Sequence, residues 1–221
     1  MADHMTEPVV VIGLGRFGSA VARQLAAQGT EVLAIDSNEK AVAAVSGQIS
    51  NAAIADSTDI DAMRQLGVPD FRHAVVAIGT AMEASILTAG LLSDLRVADI
   101  WAKAISLQHR DILLRVGAHH VVLPEHDMGE RIAHLLAGRL LDYVELDRDF
   151  AMIKRRPPRD LVGVPLGDAL AASPLRITIV AVKPEGPAQF RPTTAETTLV
   201  EGDTILALGT IADLERFSDM D

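Results

Sequence analysis

The sequence predicts an α/β protein, with a doubly wound parallel sheet followed by a smaller α+β domain. Through the first two thirds of the 221 residues, short apolar runs alternate with segments of helical period, a pattern typical of strands joined by crossover helices. Apolar residues make up 49% of the chain and aromatic residues only 3%, so the core has to be built from Val, Ile, Leu and Ala. An aliphatic core of this kind suits helices packed on a buried parallel sheet.

The first domain is predicted over residues 8–144. Its strands are short runs of Val, Ile and Ala, and glycine or proline interrupts the chain after several helices, as at Gly29, Gly67 and Pro69. The predicted strands cover 9–15, 31–36, 51–56, 73–79, 99–104 and 119–124. The predicted helices cover 18–28, 38–46, 59–66, 81–94, 107–116 and 127–141.

The second domain is predicted over residues 145–221, where short strands lie between proline and glycine turns. The basic, proline-bearing segment 152–160 is interpreted as a linker or an edge strand. Its cations are expected to form a solvated face, and a site for phosphate or an acidic partner is the alternative. These cations are Lys154, Arg155, Arg156 and Arg159. Strands are then expected over 176–182, 189–192 and 203–209, and helices over 166–172 and up to about 217.

Composition argues against several classes of partner and site. The net charge of −10 argues against nucleic acid, which requires a cationic surface. The chain has no cysteine, which excludes disulfides, thiolate zinc sites and cysteine nucleophiles. No apolar run approaches the roughly 18 residues that span a bilayer. A role at a membrane would therefore require another chain to supply the membrane part.

A glycine-rich turn joins the first strand to the first helix, in the spacing Gly13-x-Gly15-x-x-Gly18. In such turns the first glycine permits a tight bend, the second lets the backbone approach a phosphate, and the third lets helix and strand pack closely. An acid, Asp36, ends the second strand, where it would accept hydrogen bonds from ribose hydroxyls and disfavour the 2′-phosphate of NADP. The sequence therefore predicts a Rossmann-like nucleotide-binding domain.

Arg16 lies inside the turn, where a guanidinium either binds a terminal phosphate or points to solvent. Ligands bind at the carboxyl ends of parallel strands, so the residues that end the third, fourth and fifth strands are expected to line the same crevice. They are Asp56, Ser57, Ile78, Gly79, Thr80 and Lys103.

The residues alone favour a protein that is not an enzyme. A dehydrogenase needs a proton donor beside the nicotinamide, usually from a second domain, and the predicted second domain contains no histidine. No nucleophile elbow, zinc-binding helix or Walker loop occurs. Glu125 and Asp127 lie at a helix start, where acids commonly act as caps; ligation of a hard cation is the alternative.

Several segments resemble the RCK regulatory subunits of bacterial Trk and Ktr potassium transport systems, and among them the KtrA type. They are "VIGLGRFGSAVARQLAAQGTEVLAID", "VVAIG", "WAKA" and "LPEHDMG", in the order and spacing of the family. The tail, with "PLGDALAASPLRITIVAV" and "LVEGDTILALG", resembles the RCK C-terminal domain. The resemblance extends over 8–217.

The resemblance implies a cytoplasmic ring of eight subunits, assembled from dimers, that docks on a membrane potassium channel subunit of the KtrB or TrkH type. ATP and ADP would compete for the first domain and change the shape of the ring, so that the channel opens or closes. Arg16 would contact terminal phosphates, Asp36 and Asn38 the ribose, and Glu125 a cation (Mg, Ca or Na). The implied nucleotide-binding residues are Gly13, Gly15, Arg16, Phe17, Gly18, Asp36, Ser37, Asn38, Asp56, Ser57, Ile78, Gly79, Thr80, Lys103 and His109.

Alternatives stay open at this point. A Trk-like subunit that senses NAD and NADH shares the glycine turn and Asp36, and a small NAD-dependent oxidoreductase or a regulator of another transporter shares the fold. Related subunits bind cyclic di-AMP between two copies of the second domain through an arginine. Here Ala172 stands at the expected position and Arg176 follows four residues later, so no residues are assigned to that ligand.

Overall fold

A computed structural model describes residues 7–49, 51–136 and 141–220. The chain divides into two compact units, and the boundary along the chain lies between Glu125 and His126. The predicted division between residues 144 and 145 differs from this one and falls inside a strand of the second unit.

The first unit is built on a six-stranded parallel sheet with the order β3-β2-β1-β4-β5-β6. This order confirms the predicted Rossmann-like, doubly wound arrangement, in which the chain starts at the centre and winds outward in both directions. The strands are β1 (Val9–Ile12), β2 (Val32–Asp36), β3 (Asn51–Ile54), β4 (His73–Val76), β5 (Asp99–Lys103) and β6 (His120–Val122). The helices are α1 (Arg16–Ala27), α2 (Glu39–Ala43), α3 (Ile60–Gln65), α4 (Met82–Asp94), α5 (Leu107–Arg115) and α6 (Pro124–Leu136), the last of which continues into the second unit.

Strand β1 shows why both faces of the sheet are covered. Val10 and Ile12 belong to one apolar cluster, and Val9 and Val11 belong to another. Successive side chains of a strand point to opposite faces, so an unbroken apolar run buries residues in two separate layers. The sheet is therefore the centre of a three-layer unit, and its carboxyl edge is left for the turns between strands and helices.

Element boundaries differ from the prediction mainly at the turns. The first strand ends at Ile12 rather than at residue 15, because Gly13 turns the chain with a positive φ of 93°. Helix α6 begins at Pro124 rather than at residue 127. The end of the predicted helix, residues 137–140, lies outside the described residues.

The second unit contains a five-stranded antiparallel sheet with the order β10-β9-β11-β8-β7. A smaller α+β region after the parallel sheet is thus present. Its strands are β7 (Asp142–Asp147), β8 (Phe150–Arg155), β9 (Ile177–Lys183), β10 (Arg191–Pro192) and β11 (Thr204–Thr210). Its remaining helices are α7 (Leu166–Ala172) and α8 (Ile211–Ser218).

The interpretation of 152–160 as a linker or edge strand is wrong for its first part. Residues 152–155 lie in β8, which pairs with both β7 and β11 in the interior of the sheet. Ala151, Ile153 and Arg155 alternate inward and are buried. The sequence pattern did not indicate this strand, because one of its inward-facing side chains is a cation.

The predicted solvated basic face is also corrected at Arg155. This side chain is 7% exposed, and its guanidinium lies over the Phe217 ring, 4.9 Å from the ring centroid. Its N–H groups donate to the backbone carbonyls of Arg156, Phe217 and Met220. Arg155 therefore fastens the end of α8 to β8, whereas Arg156 and Arg159 are exposed.

In the part of the chain that the structure describes, no helix combines the length and the apolar character needed to cross a membrane.

Candidate nucleotide-binding site

The turn between β1 and α1 has room for glycine alone at two of its three glycine positions. A Cβ atom on Gly13 would lie 3.0 Å from the backbone of Ala77 and Ile78, and the φ of 93° is itself unfavourable for other residues. A Cβ atom on Gly18 would lie 1.8 Å from the carbonyl oxygen of Gly13. Helix α1 thus packs directly against the turn that precedes it.

Gly15 is different, because no atom lies within 4 Å of the position that its Cβ would take. It directly precedes α1, and no side chain caps the amino end of that helix. The first N–H groups of a helix lack intrahelical partners and carry partial positive charge. An open, uncapped helix start beside a glycine is the arrangement that binds phosphate in this class of fold.

Asp36 connects the end of β2 to the glycine turn. Its Oδ2 accepts a 2.6 Å hydrogen bond from the backbone N–H of Leu14, and its Oδ1 accepts a 2.8 Å bond from that of Asn38. The Asn38 side chain in turn caps α2 by accepting from the N–H of Lys40, and Ser37 is exposed between them. Each carboxylate oxygen can accept more than one bond, so Asp36 can hold the turn and still accept from a ribose hydroxyl.

Asp56 and Ser57 follow β3 but have different surroundings. Asp56 is exposed and accepts bonds from the hydroxyl and N–H of Thr58, which lower the pKa of its carboxyl group. Ser57 is 8% exposed, and its hydroxyl lies 2.7 Å from that of Thr88 on α4. The Ser57 hydroxyl is therefore engaged within the fold.

Opposite charges meet at the end of β5. The Lys103 ammonium lies 2.6 Å from Glu125 Oε1 at the start of α6 and 5.8 Å from the centroid of the Phe17 ring on α1. The hydrogen bond from Lys103 lowers the pKa of Glu125, and the charge of Arg16 contributes to the same effect. The Lys103 side chain is only 11% exposed, whereas Glu125 is 65% exposed. The pair places one cation and one anion beside the glycine turn.

The structure brings most of the predicted residues together at this edge of the sheet. Ile78 lies against Gly13, and Gly79 lies against the Lys103 side chain. Thr80 and Arg16 are exposed. Whether these residues bind a nucleotide stays a prediction.

His109 does not lie on the surface of the crevice. It is 1% exposed, its Nδ1 accepts a 3.4 Å bond from the N–H of Ile105, and its Nε2 has no partner among the described residues. Burial lowers the pKa of the imidazole, so the ring is neutral at pH 7. A direct contact with a ligand would require the turn before α5 to move.

Glu125 has no neighbouring set of metal ligands in the described part of the chain. Among the described residues, no group of three or more His, Cys, Asp or Glu side chains is placed to hold a metal ion. A cation at Glu125 would need further oxygen ligands from a phosphate or from another copy, and it would compete with Lys103.

Sequence reasoning missed Leu14, Thr58, Thr88 and Ala77, which support the site. Leu14 contributes its backbone N–H, and the Cβ of Ala77 limits the space at Gly18. No side-chain pattern signals either role. Thr58 could have been found, because Asp-x-Thr is a common hydrogen-bonded turn.

Comparison with known proteins identifies the family. The Ktr system potassium uptake protein C of Bacillus subtilis (strain 168) is 37% identical over 214 residues, which cover 96% of this chain and 96% of that protein. The Ktr system potassium uptake protein A of the same organism is 34% identical over 210 residues, which cover 95% and 94%. The GsuK channel bound to NAD matches with a TM-score of 0.67 at 16% identity, over 100% of this chain and 40% of the channel chain, a likeness that shows the fold alone.

The TrkA-N domain family matches residues 9–124, more than half of the chain. The resemblance to regulatory subunits of Ktr and Trk potassium uptake systems is thus confirmed, and the chain belongs to the TrkA-N domain family.

Proposed function

We propose that this protein is a cytoplasmic regulatory subunit that binds ATP and ADP and gates a membrane potassium channel subunit by changing the shape of a ring of subunits. The observation that carries this proposal is the uncapped start of α1 at the open position beside Gly15, with the exposed Arg16 next to it. The relatives named for potassium uptake, 34–37% identical over nearly the whole chain, support the role in potassium transport.

The charges beside the glycine turn provide a reason for ATP and ADP to act differently. A ligand shifts a conformational equilibrium only through contacts that differ between its two states, and the γ-phosphate is a contact that ADP lacks. We expect Arg16, which is exposed beside the glycine turn, to bind that phosphate. Lys103 is held by Glu125, so a phosphate that attracts Lys103 would leave the Glu125 carboxylate available to a cation. Mg, Ca or Na would offset the repulsion between phosphates that lie close together.

Calorimetry on nucleotide-stripped protein tests this proposal directly. ATP, ADP, NADH and NAD are titrated with and without magnesium, and cyclic di-AMP is titrated separately as a ligand of the second unit. We expect ATP and ADP to bind more tightly than NAD and NADH, with magnesium strengthening ATP. A preference for NADH would instead favour the Trk-like redox sensor. Hydride transfer from NADH to a carbonyl substrate would contradict the non-catalytic role.

Replacing Arg16 with Ala is expected to weaken ATP binding by about tenfold to a hundredfold, because a charge-assisted hydrogen bond contributes about 1.5–3 kcal/mol. ADP binding should weaken less. The matched control is Arg115→Ala at the far end of α5, another exposed arginine on a helix surface, which should leave both affinities unchanged. Equal losses for ATP and ADP would remove the role assigned to Arg16.

Assembly into an octameric ring of dimers is part of the same proposal. Met128, Ile132 and Leu136 recur at every fourth residue of α6 and are 49%, 46% and 81% exposed. An exposed apolar stripe on a helix marks a contact surface for another chain.

Ile132→Asp is therefore expected to shift the protein to a smaller mass in size-exclusion chromatography with light scattering. The cause is the cost of burying a charge in an apolar contact. Ile132→Leu, which keeps the apolar surface, should retain the mass of the wild type. An unchanged mass in Ile132→Asp would mean that this face of α6 makes no contact between subunits.

A further inference from the structure

A second cluster of titratable side chains lies at the opposite, amino edge of the parallel sheet. It joins Glu7, which precedes β1, to His73 at the start of β4, Asp99 at the start of β5 and His120 at the start of β6. The nucleotide site proposed above uses none of these residues. Nothing in this inference depends on that proposal.

His73 lies between two carboxylates. Its Nδ1 is 2.9 Å from Asp99 Oδ2, and its Nε2 is 2.8 Å from Glu7 Oε2. A neutral imidazole can donate from one nitrogen only, and an ionised carboxylate can only accept. Both contacts are favourable together only when His73 is protonated on both nitrogens. The geometry therefore corresponds to a charged imidazolium.

Asp99 connects His73 to the tryptophan of the chain. Its Oδ2 also accepts a 3.2 Å bond from the indole N–H of Trp101, and its Oδ1 lies 3.3 Å from His120 Nε2. The rings of Trp101 and His120 are stacked, with centroids 4.2 Å apart. Any change in the charge of the cluster therefore takes place next to the indole.

We infer that this cluster is a pH-dependent link between strands: protonated His73 joins β4 by hydrogen bonds both to β5 and to the residues before β1, and loss of its proton as the pH rises removes one of these two bonds. The charged and titratable groups that face it among the described residues are Glu7, Arg72, Asp99 and His120. Arg72 lies 3.0 Å from Glu7 and keeps that carboxylate paired when His73 is neutral.

The directions of the pKa shifts agree with this geometry. The hydrogen bond to Asp99, aided by Glu7, raises the pKa of His73 against the opposing effect of burial. The bond from His73 lowers the pKa of Glu7. Burial acts to raise the pKa of Asp99, but the bonds from His73 and Trp101 and the charge of His120 outweigh it, and the pKa is lowered.

The sign of the stability effect follows from the raised pKa of His73. Its contribution is fully present below the unfolded-state pKa of about 6.5 and is lost as the pH rises through the folded-state value. His73→Gln should therefore lower the melting temperature more at about pH 6 than at about pH 9. Equal losses at both pH values would overturn the inference.

The tryptophan gives a second, independent readout, because Trp101 is the single tryptophan in the sequence. In full-length His120→Gln protein the stacked imidazole is gone, and the emission of Trp101 reports on Asp99 and His73. We expect a transition with a midpoint above about pH 6.5 in this variant. The double variant His73→Gln/His120→Gln should show none. His126→Gln on α6, outside the cluster, is the matched control and should retain the profile of the wild type.

A flat emission profile in both the wild type and His120→Gln would overturn the inference. So would a transition that is the same with and without His73. A flat wild-type profile overturns the inference by itself, so the test remains valid even if a variant folds poorly.

Discussion

Gly18→Ala is expected to lower the free energy of unfolding by about 3 kcal/mol, the upper end of the usual cost of overpacking, because the atoms around the added Cβ cannot relax. The added Cβ would lie 1.8 Å from the Gly13 carbonyl oxygen and 2.8 Å from the Ala77 Cβ. The first of these is a backbone atom, so no side-chain rotation relieves the clash. Urea denaturation followed by circular dichroism measures the loss.

Gly15→Ala is the matched control, because it makes the same chemical change three residues earlier in the same turn. The position is open and the φ of −66° suits alanine, so a change within about 0.5 kcal/mol is expected. Similar losses in the two variants would mean that helix α1 does not pack against the turn as described.

Phe217→Ala is expected to destabilise the second unit by about 3–5 kcal/mol, the usual cost of removing a buried aromatic ring. The side chain is 1% exposed within the apolar core of that unit, and its ring supports the Arg155 guanidinium. The variant therefore creates a cavity and removes the cation–π contact of a buried charge. Thermal and urea unfolding both measure the effect.

Two controls separate cavity formation from the loss of any aromatic residue. Phe217→Leu refills most of the volume and should cost much less than Phe217→Ala. Phe190→Ala removes a ring that is 39% exposed and should cost less than either. If Phe190→Ala were as harmful as Phe217→Ala, Phe217 would not be the centre of the core.

The first unit could be predicted from the sequence because its signals are local. The unbroken apolar run of β1 and the glycine spacing after it specify a buried strand, a tight turn and a close helix within ten residues of chain (about 9–18). The handedness of crossover connections then limits the strand orders that are possible.

Strand β8 could not be predicted in the same way. Its inward positions include Arg155, and a cation there is stabilised by carbonyl groups at the end of α8, more than 60 residues later in the chain. No local pattern shows such a contact. Strand β7 has mostly exposed side chains, so it lacked the alternation that marks a half-buried strand.

The candidate site also contains some residues that the sequence could position and others whose orientation depends on tertiary packing. The spacing of the glycines and Asp36 places them together because turn geometry and strand order determine their positions. The inward hydroxyl of Ser57 and the burial of His109 depend instead on packing against α4 and on the turn before α5. Sequence could place these two residues near the crevice but could not determine which atoms face it.

The hydrogen bond from Leu14 to Asp36 has a consequence for the kinetics of ligand binding. Both of its partners belong to the protein, so the bond orders the loop as part of folding, and the entropy lost in ordering it is not charged to association. A ligand that enters such a loop should associate without a slow ordering of the loop, ahead of any change in the shape of the ring, and the affinities of related ligands should differ mainly in their dissociation rates. Stopped-flow association rates that increase linearly with ligand concentration, without a plateau, would show this behaviour.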